Sequence, residues 1–182
     1  MTGTVRLLLF LSAMVLLLSL TAANADSAQE IEINSDATLK RFPLQVNGGE
    51  RFLQKAAGVL IFPSVIKAGF GIGGEYGEGV LRVNGESVAY YSSASASIGF
   101  QLGAQSKSII IVFLDEASLA SFRASKGWKV GVDGSVALIE WGVGRDINSV
   151  TFNTPVVGFI FNNKGLMYNL TLEGSKFTQI KR

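Results

Sequence analysis

A run of closely spaced glycines constrains the fold of this chain more than any other feature of the sequence. Residues 67–79 read KAGFGIGGEYGEG, with glycine at six of the thirteen positions: Gly69, Gly71, Gly73, Gly74, Gly77 and Gly79. Three of them match G-x-G-x-x-G, the pattern of a nucleotide-binding turn that opens into a helix. Further glycines and a β-branched run follow here, so no helix can begin. We therefore expect a strand in which Gly69, Gly71 and Gly73 form one bare face, as found where a sheet bends sharply or another backbone packs closely.

The rest of the pattern predicts an α+β fold with a mainly antiparallel β-sheet, curled into a barrel or sandwich. Asn84 and Gly85 separate two short apolar runs, which is a strong hairpin signal. GVLIF is predicted as a strand that stops at Pro63, and SIIIVF as a buried strand. Alternation over residues 128–139 predicts a further strand. The C-terminal part, from VVGFIF to the end, predicts three more strands.

Helices are expected at the N-terminus and near residues 115–126. Ser35 is predicted to cap a short helix that Pro43 interrupts, and a second short helix follows Gly48 and Gly49. Asp115 is predicted to cap the third. Residues 26–34 are expected to form a flexible leader, and residues 35–182 a single domain.

The amino-acid composition excludes several kinds of catalytic and metal site. The 182 residues contain neither cysteine nor histidine, which excludes a serine–histidine triad, a thiol nucleophile, a disulfide and histidine-bound zinc. Paired carboxylates remain, but Glu75 and Glu78 lie three apart on a predicted strand and point to opposite faces. We interpret them as surface carboxylates at a turn and Asp133 as a turn former. The sequence predicts no catalytic residue, metal site or cofactor.

The first 25 residues resemble an export signal, with Arg6 as the only charge, an apolar core and an A-x-A site that ends at Ala25. Cleavage after Ala25 predicts a periplasmic or secreted protein, with an uncleaved membrane anchor as the alternative. The remaining chain has 15 basic and 14 acidic residues. This near-neutral balance argues against nucleic-acid binding.

Basic and apolar side chains alternate in the N-terminal segment, as they do in a helix that lies on a membrane surface. The alternative is a packing segment with one solvated face. The candidate lipid-binding residues are Lys40, Arg41, Phe42, Arg51, Phe52, Lys55 and Lys67.

Four blocks in order resemble the SYLF lipid-binding domain family, in its exported bacterial branch. They are GVLIFPSVIKAGFGIGGEYGEGVL, YYSSASASIGFQLGAQSKSIIIVF, FRASKGWKVGVDGSVA and NKGLMYNLTLEGSKFTQI. The resemblance spans about residues 55–182. It implies a single-domain, non-enzymatic module whose eukaryotic relatives bind phosphoinositide membranes and in some cases actin. It also implies that lipid contact lies in the N-terminal segment, which Pro43 and two glycines break in this chain.

From residues and resemblance together, we expect an exported, non-enzymatic module that associates with phospholipid membranes through anionic head groups. The main alternative is an envelope scaffold that binds a protein partner without binding lipid. A carboxylate hydrolase would require Glu75, Glu78 or Asp133 to meet another carboxylate in a cleft.

Overall fold

The computed structural model describes residues 26–140, 154–165, 172 and 174–182. Within these ranges it describes the backbone alone for residues 70–72, 97–103, 140 and 165. The expected export signal and the middle one of the three C-terminal strands lie outside the described residues.

The described residues form three helices and six strands in an α+β arrangement, as predicted. The helices are α1 (Ala28–Gln45), α2 (Gly49–Lys55) and α3 (Glu116–Ala124). The strands are β1 (Gly58–Val83), β2 (Glu86–Phe113), β3 (Trp128–Lys129), β4 (Ala137–Glu140), β5 (Val156–Gly165) and β6 (Lys176–Ile180).

The sheet is built around one long hairpin and curls into a half-barrel. β1 and β2 pair antiparallel along almost their whole length. The predicted turn joins them, with positive φ at Asn84 (53°) and Gly85 (82°). β2 also pairs antiparallel with β5 and β6, while β4 adds to β5 in parallel. The sheet is therefore mixed, although most of its pairs are antiparallel as expected.

Glycines allow β1 to fold back over its own first half. A Cβ at Gly77 would lie 2.6 Å from the carbonyl oxygen of Ser64, and one at Gly79 would overlap the carbonyl oxygen of Ile61. Those distances leave no room for a side chain. A close backbone approach is thus present at Gly77 and Gly79, later in the glycine run than the expected bare face of Gly69, Gly71 and Gly73. We call the side of the sheet that Gly77 and Gly79 face the concave face of the half-barrel.

Apolar residues cover both faces of the sheet because β2 is apolar at consecutive positions. Ile109, Ile111 and Phe113 join the concave cluster, where Leu119 and Phe122 of α3 pack. Ile110 and Val112 face the other way, into the cluster beneath α1 and α2. We call this second side the convex face. The sheet therefore has a helical layer on each side.

The segment predicted as a flexible leader, residues 26–34, is mostly helical. α1 begins at Ala28, and the Ser27 side chain accepts a hydrogen bond from the Glu30 amide at 3.1 Å. Ser35 is buried inside the helix and does not cap it. Pro43 does not interrupt the helix either, since α1 continues through it to Gln45. Ser27 and Glu30 are spaced as in a capping box, so the signal was present in the sequence.

Two predicted strand boundaries are also wrong. β1 continues through Pro63, where a register shift between Phe62 and Val65 accommodates a residue without an amide proton. The expected strand over residues 128–139 is interrupted by a turn, with Gly131 at φ 82°. Val132 follows that glycine and is 71% exposed, so it does not share the buried side of Trp128.

Candidate functional site

The N-terminal helix is fixed to the sheet by one polar network. Glu32 accepts hydrogen bonds from Arg82, Ser87 and Tyr90 at 2.7, 2.9 and 2.9 Å. Burial by itself raises the pKa of Glu32, but these hydrogen bonds and the charge of Arg82 outweigh it and hold the pKa below 4.5. Arg82 also pairs with Asp36 at 2.6 Å. The network fixes which side of α1 faces away from the protein.

The outward side of α1 carries both apolar and basic side chains. Ile33 and Leu44 are 59% and 83% exposed, and Ala37 is exposed between them. Lys40 and Arg41 are exposed on the same side. The spacing of three and four residues places these side chains on one helical face. We call this set the outer face of α1: Ile33, Ala37, Lys40, Arg41 and Leu44.

Neither basic residue of the outer face is paired with an acid among the described residues. Arg41 donates from Nε to the Ala37 carbonyl oxygen at 3.2 Å, within its own helix. The acidic Asp36 at the edge of the face is already paired with Arg82. The positive charges of Lys40 and Arg41 are therefore directed to solvent.

The two predicted membrane-inserting aromatic residues are instead part of the core. Phe42 and Phe52 are both 0% exposed. They meet Phe159 edge-to-face, with ring centroids 4.9 and 5.0 Å apart. The convex cluster surrounds both rings, so this structure does not expose them for the lipid contact that the sequence pattern predicts. Arg51 and Lys55 lie on α2 with exposed side chains and are each engaged in an interaction.

Lys67 also lies elsewhere than predicted. It is 4% exposed on the concave side of the sheet, and its Nζ atom is 3.4 Å from Oε1 of Glu75. Lys107 approaches the other oxygen of the same carboxylate at 2.8 Å and is 1% exposed. Lys67 is therefore a buried lysine and not part of an exposed basic surface. Sequence reasoning missed Lys107, although its position two residues before Ile109 on β2 predicts the same face.

Glu78 forms a separate cluster, and it does not meet Glu75. It accepts hydrogen bonds from Arg182 and, at 2.6 Å, from the Tyr76 hydroxyl. Burial opposes ionisation, yet hydrogen bonds from these two residues hold the pKa of Glu78 below its ordinary value. Burial and then the bond to Glu78 raise the pKa of Tyr76 to about 12.

These carboxylates are not the surface turn residues that the sequence predicted, since both are buried within β1. The prediction that they do not converge is confirmed by their separate partners. Asp133 is a turn former as predicted, because its Oδ2 accepts from the Lys129 amide at 2.6 Å. No pair suited to two-carboxylate hydrolysis follows from these three residues.

The described residues contain no group of three or more metal-ligating side chains. Among the described helices, none combines the length and the hydrophobicity required to cross a bilayer.

Residues 94–182 match the family model described as Ysc84, Las17-binding protein actin regulator. Over these residues the chain matches the Ysc84 (SYLF) domain family. SYLF domains are binding domains, associated with actin regulation and lipid binding. The matched part begins within β2, so α1, α2 and β1 precede it. A comparison with curated proteins gives no significant match.

Proposed function

We propose that this SYLF protein is a non-enzymatic module that lays the outer face of α1 on anionic phospholipid membranes. The observation that carries the proposal is the exposed pair Lys40 and Arg41, flanked by exposed Leu44 and Ile33. We further propose that it acts outside the cytoplasm, in the periplasm or after secretion, once residues 1–25 have been removed.

The chemistry of the outer face suits a bilayer interface. Apolar side chains on one side of a surface helix enter the boundary between head groups and acyl chains, while basic side chains attract anionic lipid. Each basic residue near such a surface contributes about 1 kcal/mol, and the attraction falls off within a Debye length. Ile33 and Leu44 supply the apolar contact that the sequence had assigned to Phe42 and Phe52.

A protein partner is the competing occupant of this face. Basic residues separate Ile33 from Leu44, whereas the centre of a protein interface usually contains few charged residues. The outer face therefore fits an interface that is charged and shallow better than one that is apolar and closed.

Vesicle flotation tests the proposal. We expect the protein to float with phosphatidylglycerol vesicles, to float weakly with phosphatidylcholine vesicles, and to lose binding as salt rises. The double variant K40E/R41E should weaken binding more than tenfold, since it removes about 2 kcal/mol of attraction and adds repulsion. I33S/L44S should also weaken it, by loss of apolar burial.

The matched control is K126E/K129E, which makes the same charge change at two exposed lysines, one after α3 and one in β3. It should retain binding. Equal loss in both charge-reversal variants would indicate a general charge effect and contradict a site on α1. Absence of any preference for anionic vesicles, with a cross-linked protein recovered through the same face, would favour the scaffold.

A further inference from the structure

Among the described residues, the concave face of the half-barrel contains more buried positive than negative charge. Lys67 and Lys107 both contact the single carboxylate of Glu75, and the three side chains are 5%, 1% and 6% exposed. Lys67 lies directly opposite Gln105 in the β1–β2 pairing. We call these four residues the inner lysine cluster. Two ammonium groups and one carboxylate leave a net charge of +1 on three nearly fully buried side chains.

A buried charge without a counterion is costly, because the interior replaces little of the hydration that the ion loses. Among the ion pairs of the described residues, Glu75 is the acid that both lysines share. A carboxylate held between two ammonium groups neutralises one of them. The remaining positive charge calls for an anion.

Two atoms of the inner lysine cluster lack hydrogen-bond partners among the residues that the structure describes. The Nζ atom of Lys107 makes no hydrogen bond of acceptable geometry despite its short contact with Glu75. The Oε1 atom of Gln105 is also buried without a donor, while its Nε2 atom donates to Asn163 at 2.5 Å. Buried polar atoms are normally paired, so this combination marks a missing group that both accepts and donates.

The inner lysine cluster lies close to the protein surface. Asn163, the partner of Gln105, is exposed, so the cluster lies one side chain below the surface. Gly69 and Gly73 occupy the positions two residues after Lys67 and two residues before Glu75, on the same side of β1 by strand alternation. They present no side chain to the concave face beside the cluster.

We propose that the inner lysine cluster binds the phosphate of a phosphomonoester or of inorganic phosphate. Its ionised oxygens accept from Lys107 and Lys67, and a P–OH group donates to Oε1 of Gln105. A phosphodiester has no such proton and satisfies only the lysines. The site is separate from the outer face of α1, which lies on the convex side of the sheet.

Thermal unfolding of the whole protein with added phosphate tests the site, with sodium chloride of equal ionic strength as the reference. At a hundredfold excess over its Kd, phosphate should raise the unfolding temperature by about 5–10 °C. Lys107→Met should abolish that shift, and Lys67→Met should reduce it. Glu75→Gln should increase the affinity, since it removes the competing anion. The matched control Lys126→Met should respond as the native chain does.

Vesicle binding distinguishes a lipid head group from free phosphate as the ligand. Phosphatidic acid carries a phosphomonoester, whereas phosphatidylglycerol carries a phosphodiester. A loss of phosphatidic acid preference in Lys107→Met supports a lipid head group as the ligand. A phosphate shift without that preference supports free phosphate. K40E/R41E should keep the phosphate shift, which separates this site from the proposed membrane surface. The proposal is overturned if phosphate acts no differently from chloride, or if folded Lys107→Met and Lys67→Met both keep the full response.

Discussion

Gly79 shows how a single missing side chain permits the fold. Its Cα faces the backbone of Ile61 and the ring of Phe62, so any Cβ must displace main chain. We expect Gly79→Val to lower the free energy of unfolding by more than about 3 kcal/mol, in the range of the most damaging core substitutions. Chemical denaturation measures this loss.

Gly74 is the matched control in the same strand, because its Cβ would lie at an ordinary 3.7 Å from the Ser95 carbonyl oxygen. Gly74→Ala should change stability by less than about 1 kcal/mol. If Gly79→Val folded as stably as Gly74→Ala, the close crossing of β1 over itself would be disproved.

Glu32 supports a prediction about pH. Its pKa is held below 4.5 in the folded protein, so its stabilising effect is present above the unfolded pKa and is lost as pH falls through the folded value. We expect Glu32→Gln to cost about 1–3 kcal/mol at pH 7 and to flatten the loss of stability below pH of about 4.5. Denaturation at several pH values provides the test, with the exposed Glu86→Gln as control. An unchanged acid profile in Glu32→Gln would contradict the role of the network.

At the scale of elements, helix ends were predicted best where a local signal was recognised. The Asp115 side chain accepts from the Ser118 amide at 2.6 Å and begins α3 as expected. Asp115→Ala should destabilise the protein by about 1 kcal/mol, and Asp115→Asn, which preserves an oxygen acceptor, by much less. Thermal unfolding compares the two. Equal losses would show that charge, and not the cap hydrogen bond, matters at this position.

Features that depend on residues far apart in the chain could not be predicted from the sequence. The hairpin turn at Asn84 and Gly85 and the α3 cap depend on a few neighbouring residues, so they were predicted correctly. The burial of Phe42 and Phe52 depends on Phe159, more than a hundred residues away. A basic and apolar alternation looks the same in a packing helix and in a membrane-surface helix. Only the tertiary contacts show that the aromatic residues point inward and Leu44 outward.

The sequence therefore predicted some of the candidate site residues correctly and misplaced others. The segment and its basic residues Lys40 and Arg41 were found from the pattern, and the structure exposes both. The burial of Lys67 was not found, because the pairing of two lysines with Glu75 requires β1 to fold back on itself. A strand pattern gives the alternation of faces, but it does not say which face the curled sheet will enclose.

On the scale of the whole molecule, different helices cover the two faces of the sheet. α1 packs on the convex face, whereas α3, Trp128 and Val130 pack on the concave face. The outer face of α1 and the turn that carries Val132 consequently lie on opposite sides of the sheet. A module that binds a membrane through α1 should present its other side to solvent.

The absence of cysteine makes this orientation directly measurable. A single Ala37→Cys substitution places a label in the middle of the outer face, between Ile33 and Leu44. Val132→Cys places the same label on the opposite side of the sheet. With an environment-sensitive fluorophore, we expect anionic vesicles to shift the emission at position 37 to shorter wavelength and to leave position 132 unchanged. A shift at position 132 alone, or at neither position under conditions where the protein floats, would contradict membrane binding through α1.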